Sequence, residues 1–281
     1  MVATHALVVA ALFVTLKVST WKTIILYNVL FFNALGIFIT TRHIQFVQRR
    51  AKQPVRWRPS QVDPAAAERR LEDYYLFVLG SGGHTKEMLM MMDDGFYDFN
   101  RVHRRYLIST GDTMSGNHAL HYEKELGELC ERDGKDPGAY DIRTVTRARK
   151  VHQPLITTPA SALRCFSEIF EILLTPPESE VGQLVQFPRI VFSNGPATGF
   201  IAALAVYILK AFYIVPEDRM CFVYIESWAR ISTLSLTGKL IWKMGLADAF
   251  AVQHEEVAKK YKVEFAGPLV FNSRRPEAEG S

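Results

Sequence analysis

The sequence predicts an α/β fold, a parallel sheet covered on both faces, behind an N-terminal transmembrane helix. Three observations predict it. From Tyr74 onward, short β-rich apolar runs alternate with helix-patterned stretches, as a parallel sheet with helices on both faces requires. Two of the strand–helix turns are rich in glycine. Ahead of them, residues 23–41 are apolar and uncharged, and run into Arg42, Arg49, Arg50, Lys52, Arg56 and Arg58.

The apolar run 23–41 matches the roughly 20 helical residues that span a hydrocarbon core. A shorter apolar run, 2–16, lies in the interface or pairs with it as a hairpin. A cleaved signal peptide competes with an anchor, but no small-residue cleavage site follows a short apolar core. Basic residues just past a membrane helix stay on the cytoplasmic side, which makes everything after Arg42 cytosolic. Residues 1–41 are therefore read as the anchor and 42–72 as a basic linker. The linker bears Pro54, Pro59 and Pro64, and is either solvated or in contact with anionic headgroups. Residues 73–270 form the folded domain, and 271–281 a polar tail.

Composition narrows the class. Of 281 residues, 48% are hydrophobic and 22% charged, and the formal net charge is only +4, which gives no reason to expect nucleic acid. The cysteines Cys130, Cys165 and Cys221 are odd in number and widely spaced, so a disulfide framework or zinc site is not expected.

Within the domain, strands are expected at residues 75–79, 105–109, 190–192, 221–225, 249–252 and 263–265. Helices are expected at 84–92, 115–131, 161–174, 199–212, 234–244 and 255–260. The apolar segment 199–215 is ambiguous between a second span and a buried or membrane-touching helix. Lys210 interrupts it and Pro216 closes it early, which favours the latter.

Chemistry is expected where strands end. Gly80-Ser81-Gly82-Gly83-His84-Thr85 follows the first strand. Its glycines allow a tight turn and close approach of a ligand, and the helix that follows offers free N–H groups to a phosphate or diphosphate. His84 stands at the mouth of the loop, able to hold an anion or share a proton. The bland reading is a tight turn with an incidental histidine. Asn194, Gly195, Pro196, Thr198 and Gly199 form a second such loop, so that the two outline one cleft, although Thr198 or Asn194 also serves as a helix cap. Glu226, Ser227 and Arg230 end a third strand. There Glu226 is a base or a sugar ligand and Arg230 a phosphate partner, or the two form an i,i+4 ion pair. Arg147, Arg149 and Lys150 make a basic cluster that faces phosphate, lipid or solvent. No D-x-D, H-E-x-x-H, H-x-x-E-H or G-x-S-x-G motif occurs, so neither a metal nor a cofactor is expected.

In order along the chain, G-S-G-G-H-T, Arg147-x-Arg149-x-Val151-x-Gln153, S-N-G-P-A-T-G, Tyr224-Ile225-Glu226-Ser227-Trp228-Ala229-Arg230 and Ala247-Asp248-Ala249-Phe250-Ala251-Val252-Gln253 make a constellation. It resembles the membrane-anchor subunits of the dolichol-linked UDP-N-acetylglucosamine transferase, the asparagine-linked glycosylation protein 14 family. The resemblance implies a Rossmann-like domain similar to the N-terminal, acceptor-binding half of a GT-B glycosyltransferase. It implies a metal-independent reaction that adds the second N-acetylglucosamine to dolichyl-diphosphate-N-acetylglucosamine, with no activity expected of the chain alone. The donor-binding half is then a separate soluble subunit recruited to the endoplasmic reticulum membrane, on its cytosolic face. The preceding enzyme of the pathway is a further implied partner, and the contiguous nuclear envelope a further implied location. By position, Gly80, Ser81, Gly82, Gly83, Thr85 and Arg230 would hold the acceptor diphosphate. His84 and Glu226 would be catalytic, and Asn194, Gly195, Pro196, Thr198 and Gly199 would line the cleft. A pure recruitment scaffold and a self-sufficient membrane-bound glycosyltransferase are the competing readings.

Overall fold

The computed structural model describes residues 21–57, 72–93, 99, 101–148, 158–195 and 197–271. The first apolar run, the linker from Arg58 on, the block 149–153, Pro196 and the polar tail lie outside these residues. The chain divides into two compact units, Met1–Lys52 and Gln53–Ser281.

In the first unit, α1 (Trp21–Lys52) is one continuous helix. Its mean hydropathy of 1.9 and its 32 residues make it long and apolar enough to cross a membrane. It rises about 48 Å. The helix does not stop where the arginines begin. Arg42, Arg49, Arg50 and Lys52 continue it, because no breaker precedes Pro54 and cations at a helix C-terminus are favourable.

The second unit is a seven-stranded parallel sheet. Its strands are β1 (Asp73–Val78), β2 (Val102–Ser109), β3 (Ala139–Val145), β4 (Ile190–Ser193), β5 (Cys221–Ile225), β6 (Ala249–Val252) and β7 (Glu264–Phe265). Their order is β3-β2-β1-β4-β5-β6-β7, and each neighbouring pair is parallel. Parallel strands need crossovers, supplied here by α2 (Gly83–Met92), α3 (Thr113–Arg132), α4 (Thr158–Leu174), α5 (Glu180–Val185), α6 (Ala197–Ala211), α7 (Leu236–Met244) and α8 (Glu255–Tyr261).

Alternate residues of each strand feed two cores. Tyr75, Phe77, Tyr106, Ile108, Phe192 and Val223 pack under α2 and α3 on one face. Leu76, Val78, Leu107, Val191, Phe222 and Tyr224 pack under α4 and α6 on the other. Across the centre of the first face, the Phe77 ring stacks on Phe192 with centroids 5.2 Å apart and on Tyr106 at 5.8 Å. The segment read as linker contributes to this core: Trp57 is buried there and donates through Nε1 to Glu264 at 3.1 Å.

Further local readings change, and the short helix α5 was not expected either. The strand that the sequence pattern misses is β3, an edge strand whose Asp141 and Arg143 break the apolar run. Asp141 takes bonds from Arg105, at 2.8–3.1 Å, and from His103. Next, β2 starts earlier than its apolar residues, because Arg104 and Arg105 are buried in it as paired charges. Finally, the ambiguous segment is α6, a 15-residue core helix. Its Lys210 is neutralised inside by Asp248 at 2.9 Å, and Asp248 also accepts the Phe222 N–H at 2.8 Å.

Candidate functional site

In this strand order the chain reverses direction between β1 and β4. Loops leaving the carboxyl ends of these two strands diverge and open a crevice between them, the usual ligand position in open α/β sheets. Both glycine-rich loops lie there.

The first loop runs from Gly80 to Gly83. Gly82 has φ 62° and ψ −122°, a conformation that L side chains rarely adopt, and it precedes α2 without any side-chain cap. A Cβ on Gly82 or Gly83 would meet nothing, so the loop presents bare backbone to open space. Ser81 is exposed, whereas Gly80 is buried. Thr85 lies behind the loop rather than in its mouth. Its fully buried hydroxyl bonds to the Gly80 carbonyl and sits 2.7 Å from Ser115 Oγ. Ser115 in turn donates to Asp112 at 2.8 Å, so Thr85, Ser115 and Asp112 brace the turn from beneath.

The second loop meets the first directly. Asn194, fully buried, donates through Nδ2 to the His84 carbonyl at 2.7 Å, and its Oδ1 finds no partner among the described residues. Gly195 has φ 101°, and a Cβ there would lie 3.9 Å from the His84 ring and 3.6 Å from the Tyr224 hydroxyl. Thr198 is buried, with its hydroxyl 3.3 Å from Ser109 Oγ. Gly199 is buried where α6 presses on β4, and a Cβ there would collide with Ser193 Oγ. Gly199 is therefore a packing glycine, and Gly195 is the one beside the imidazole.

His84 is 35% exposed through its side chain, and its Nδ1 is buried without a hydrogen-bond partner among the described residues. Burial lowers its pKa below the usual imidazole value. Glu87 pulls it back up, and the exposed Arg230 pushes it further down. The ring is therefore neutral at neutral pH, the form that accepts a proton.

Glu226 is turned inward. It is 2% exposed, and its carboxylate accepts the Ser235 N–H at 3.0 Å, the Ser235 hydroxyl at 3.1 Å and the Ser227 N–H at 3.3 Å. Burial raises its pKa, while the Ser235 and Ser227 bonds and Arg230 oppose the rise. It organises the loop after β5 and the start of α7, and these serine contacts take the place of the i,i+4 bond to Arg230.

One residue at this site was not singled out from the sequence. Glu87 accepts the Ser227 hydroxyl at 2.9 Å and lies 3.4 Å from Asn194 Nδ2 and 3.9 Å from His84 Nδ1. Its signal was present: a carboxylate three residues after His84 shares its helix face.

Comparison with known proteins adds a family. The family described as "Oligosaccharide biosynthesis protein Alg14 like" matches residues 75–269. The UDP-N-acetylglucosamine transferase subunit alg14 of Aspergillus fumigatus is 30% identical over 226 residues, covering 64% of this chain and 96% of that protein. The subunit of Debaryomyces hansenii is 34% identical over 196 residues, covering 69% of this chain and 75% of that protein. The Rattus norvegicus subunit is 31% identical over 202 residues, with coverages of 69% and 82%. A crystal structure of MurG from Acinetobacter baumannii aligns with a TM-score of 0.41 and 11% identity, over 66% of this chain and 43% of that one. A family match over most of the folded domain, together with relatives at these identities, means that the chain belongs to the Alg14 family of oligosaccharide biosynthesis proteins.

Proposed function

We propose that this chain is the membrane-bound, acceptor-binding subunit of a UDP-N-acetylglucosamine transferase. In this reading it corresponds to the acceptor half of a GT-B enzyme, and a separate soluble subunit brings the nucleotide sugar. The acceptor is dolichyl-diphosphate-N-acetylglucosamine, and the domain works on the cytosolic face of the endoplasmic reticulum membrane. Three things support the reading: the names of the relatives, the apolar helix with its basic C-terminal end, and the crevice between β1 and β4. The observation that carries it is the direct bond between the two loops, His84 to Asn194, beside an uncapped helix start and a neutral imidazole.

The roles follow from chemistry. The backbone of Gly80, Ser81, Gly82 and Gly83 and the first turn of α2 receive the acceptor diphosphate, with Arg230 as a charge partner. Thr85 and Glu226 hold their loops in shape. Asn194, Gly195 and Thr198 line the cleft, and Gly199 fixes α6 against β4. The acceptor hydroxyl forms the new C–O bond to the anomeric carbon, and the bond from that carbon to UDP breaks. UDP leaves with the electron pair, and the hydroxyl proton goes to His84.

The diphosphate role is testable at Gly83. Gly83→Ala should change stability by no more than about 0.5 kcal/mol, since the new methyl meets nothing. It should nonetheless lower transfer about 10²-fold, by displacing the acceptor. Urea unfolding and initial rates with the assembled pair check both parts, and unchanged transfer would remove the loop from the binding site.

A further inference from the structure

His84 alone does not explain how its ring is held. In the sequence it precedes Thr85, Lys86 and Glu87 on the first turn of α2, so His84 and Glu87 share one helix face. Asn194 clamps the His84 main chain, but the buried Nδ1 of the ring has no hydrogen-bond partner among the described residues. The atom facing it is Glu87 Oε2, 3.9 Å away. That is about 0.7 Å beyond the upper end of an ordinary N–H···O bond, and catalytic bonds of this kind commonly tighten only when substrate is bound.

The Glu87 carboxylate is itself held. Ser227, from the loop after β5, donates to Oε1 at 2.9 Å. Asn194, from the loop after β4, approaches Oε2 at 3.4 Å. One carboxylate thus ties together the loops of β1, β4 and β5, and its second oxygen is the one aimed at the ring.

We propose that Glu87 is a positioning residue for His84: it accepts the Nδ1 proton, fixing the ring so that Nε2 is the free acceptor at the cleft. This rests on His84 being the proton acceptor of the transfer reaction. A neutral imidazole has two tautomers, and only the one protonated at Nδ1 leaves Nε2 able to take a proton. The negative charge of Glu87 also stabilises the imidazolium formed when that proton arrives. The charged groups acting on the ring are Glu87 on its own helix and Arg230 from the loop after β5, and they act in opposite directions.

The test uses the full-length chain in detergent with 15N-labelled histidine, His84→Ala serving to assign the ring signals. In the unsubstituted chain the His84 ring should be protonated at Nδ1. Glu87→Gln removes the charge that raises the His84 pKa, so the ring should titrate at lower pH and its tautomer balance should shift away from Nδ1–H. Glu87→Asp keeps the charge but withdraws it by one methylene, and should give an intermediate shift. In the assembled pair, Glu87→Gln should cut kcat about 10- to 100-fold with KM little changed, a part of what a general base supplies. Its acid limb should move to lower pH. Identical ring titration and tautomer in Glu87→Gln and the unsubstituted chain would overturn the proposal, whatever the transfer rates. Full transfer by His84→Ala would overturn the reading of His84 as proton acceptor, and with it this role for Glu87. Loss of transfer in His84→Ala with an unmoved ring in Glu87→Gln would remove only Glu87.

Discussion

In the assembled transferase, His84→Ala is expected to lower kcat by about 10²- to 10⁴-fold, the usual contribution of a general base. If the donor sits on the other subunit, as proposed, the KM for the nucleotide sugar should not change, and neither should co-purification of the partner. The Ala variant leaves the Asn194 bond intact, since Asn194 donates to the main-chain carbonyl of residue 84 and not to the ring. Loss of rate therefore reports on the imidazole rather than on the loop. Because burial holds the His84 pKa below the usual imidazole value, transfer by the unsubstituted pair should fall off at a lower pH than an ordinary imidazole would give. The measurement is sugar transfer from UDP-N-acetylglucosamine to a short-chain dolichyl-diphosphate-N-acetylglucosamine. It is made with the chain alone, the pair, and the pair carrying His84→Ala. Full activity of the substituted pair would leave only a recruitment role, and activity of the chain alone would reveal a donor site within it.

The largest stability effect is expected far from the cleft, at Glu123→Ala. Glu123 lies on α3 and accepts Arg104 Nε at 2.8 Å and Arg104 Nη2 at 2.6 Å, and the Tyr106 hydroxyl donates to the same carboxylate. Arg104 is fully buried in β2, with its guanidinium 4.4 Å from the Phe99 ring centroid. Removing the carboxylate strands a buried cation and a buried phenol, which costs about 3–5 kcal/mol. A domain of this size has a net stability of about 5–15 kcal/mol, so the loss is a large share. Urea midpoints measure it. Replacing both partners, as in Arg104→Met with Glu123→Leu, should recover most of the loss, because nothing charged is then left buried. A shift below about 1 kcal/mol for Glu123→Ala would mean that water reaches the pair and that β2 does not depend on it.

The sequence was most informative where one physical signal dominated. Strands β1, β4, β5 and β6 are short apolar runs bounded by turns, and α2, α3, α4 and α6 are periodic, so alternation alone located them. Strand β3 escaped because an edge strand can carry charge, and the partners of its Asp141 are on β2 and unrecognisable before the strands pair. The limits of β2 were hidden for the same reason, since Arg104 reads as solvent-seeking until Glu123 is found beside it. Lys210 argued against a membrane span, and its pairing with Asp248 is what allows it inside a core helix.

At the candidate site, the two glycine loops were legible because backbone freedom leaves a compositional mark. Side-chain direction leaves none. Thr85 and Glu226 have the right type and spacing to bind a ligand, but the structure points both at the protein. Glu87 could be placed on the helix face of His84 from spacing alone, but its ties to the loops after β4 and β5 exist only once those loops close over it.

The strand order also governs how the domain is made. Strands β1, β2 and β3 are consecutive and can pair as soon as residues 73–145 are available, but the other neighbour of β1 is β4, aligned as Tyr75 with Ile190. Closing that seam requires a loop of more than a hundred residues, and long-range parallel pairing is slow. On a ribosome the N-terminal apolar helix emerges long before the central seam can zip. During that interval β1 has an open edge of Tyr75, Leu76 and Phe77, waiting for its neighbour. The crevice lies on this same seam, so a nascent chain has no crevice until β4 has paired with β1.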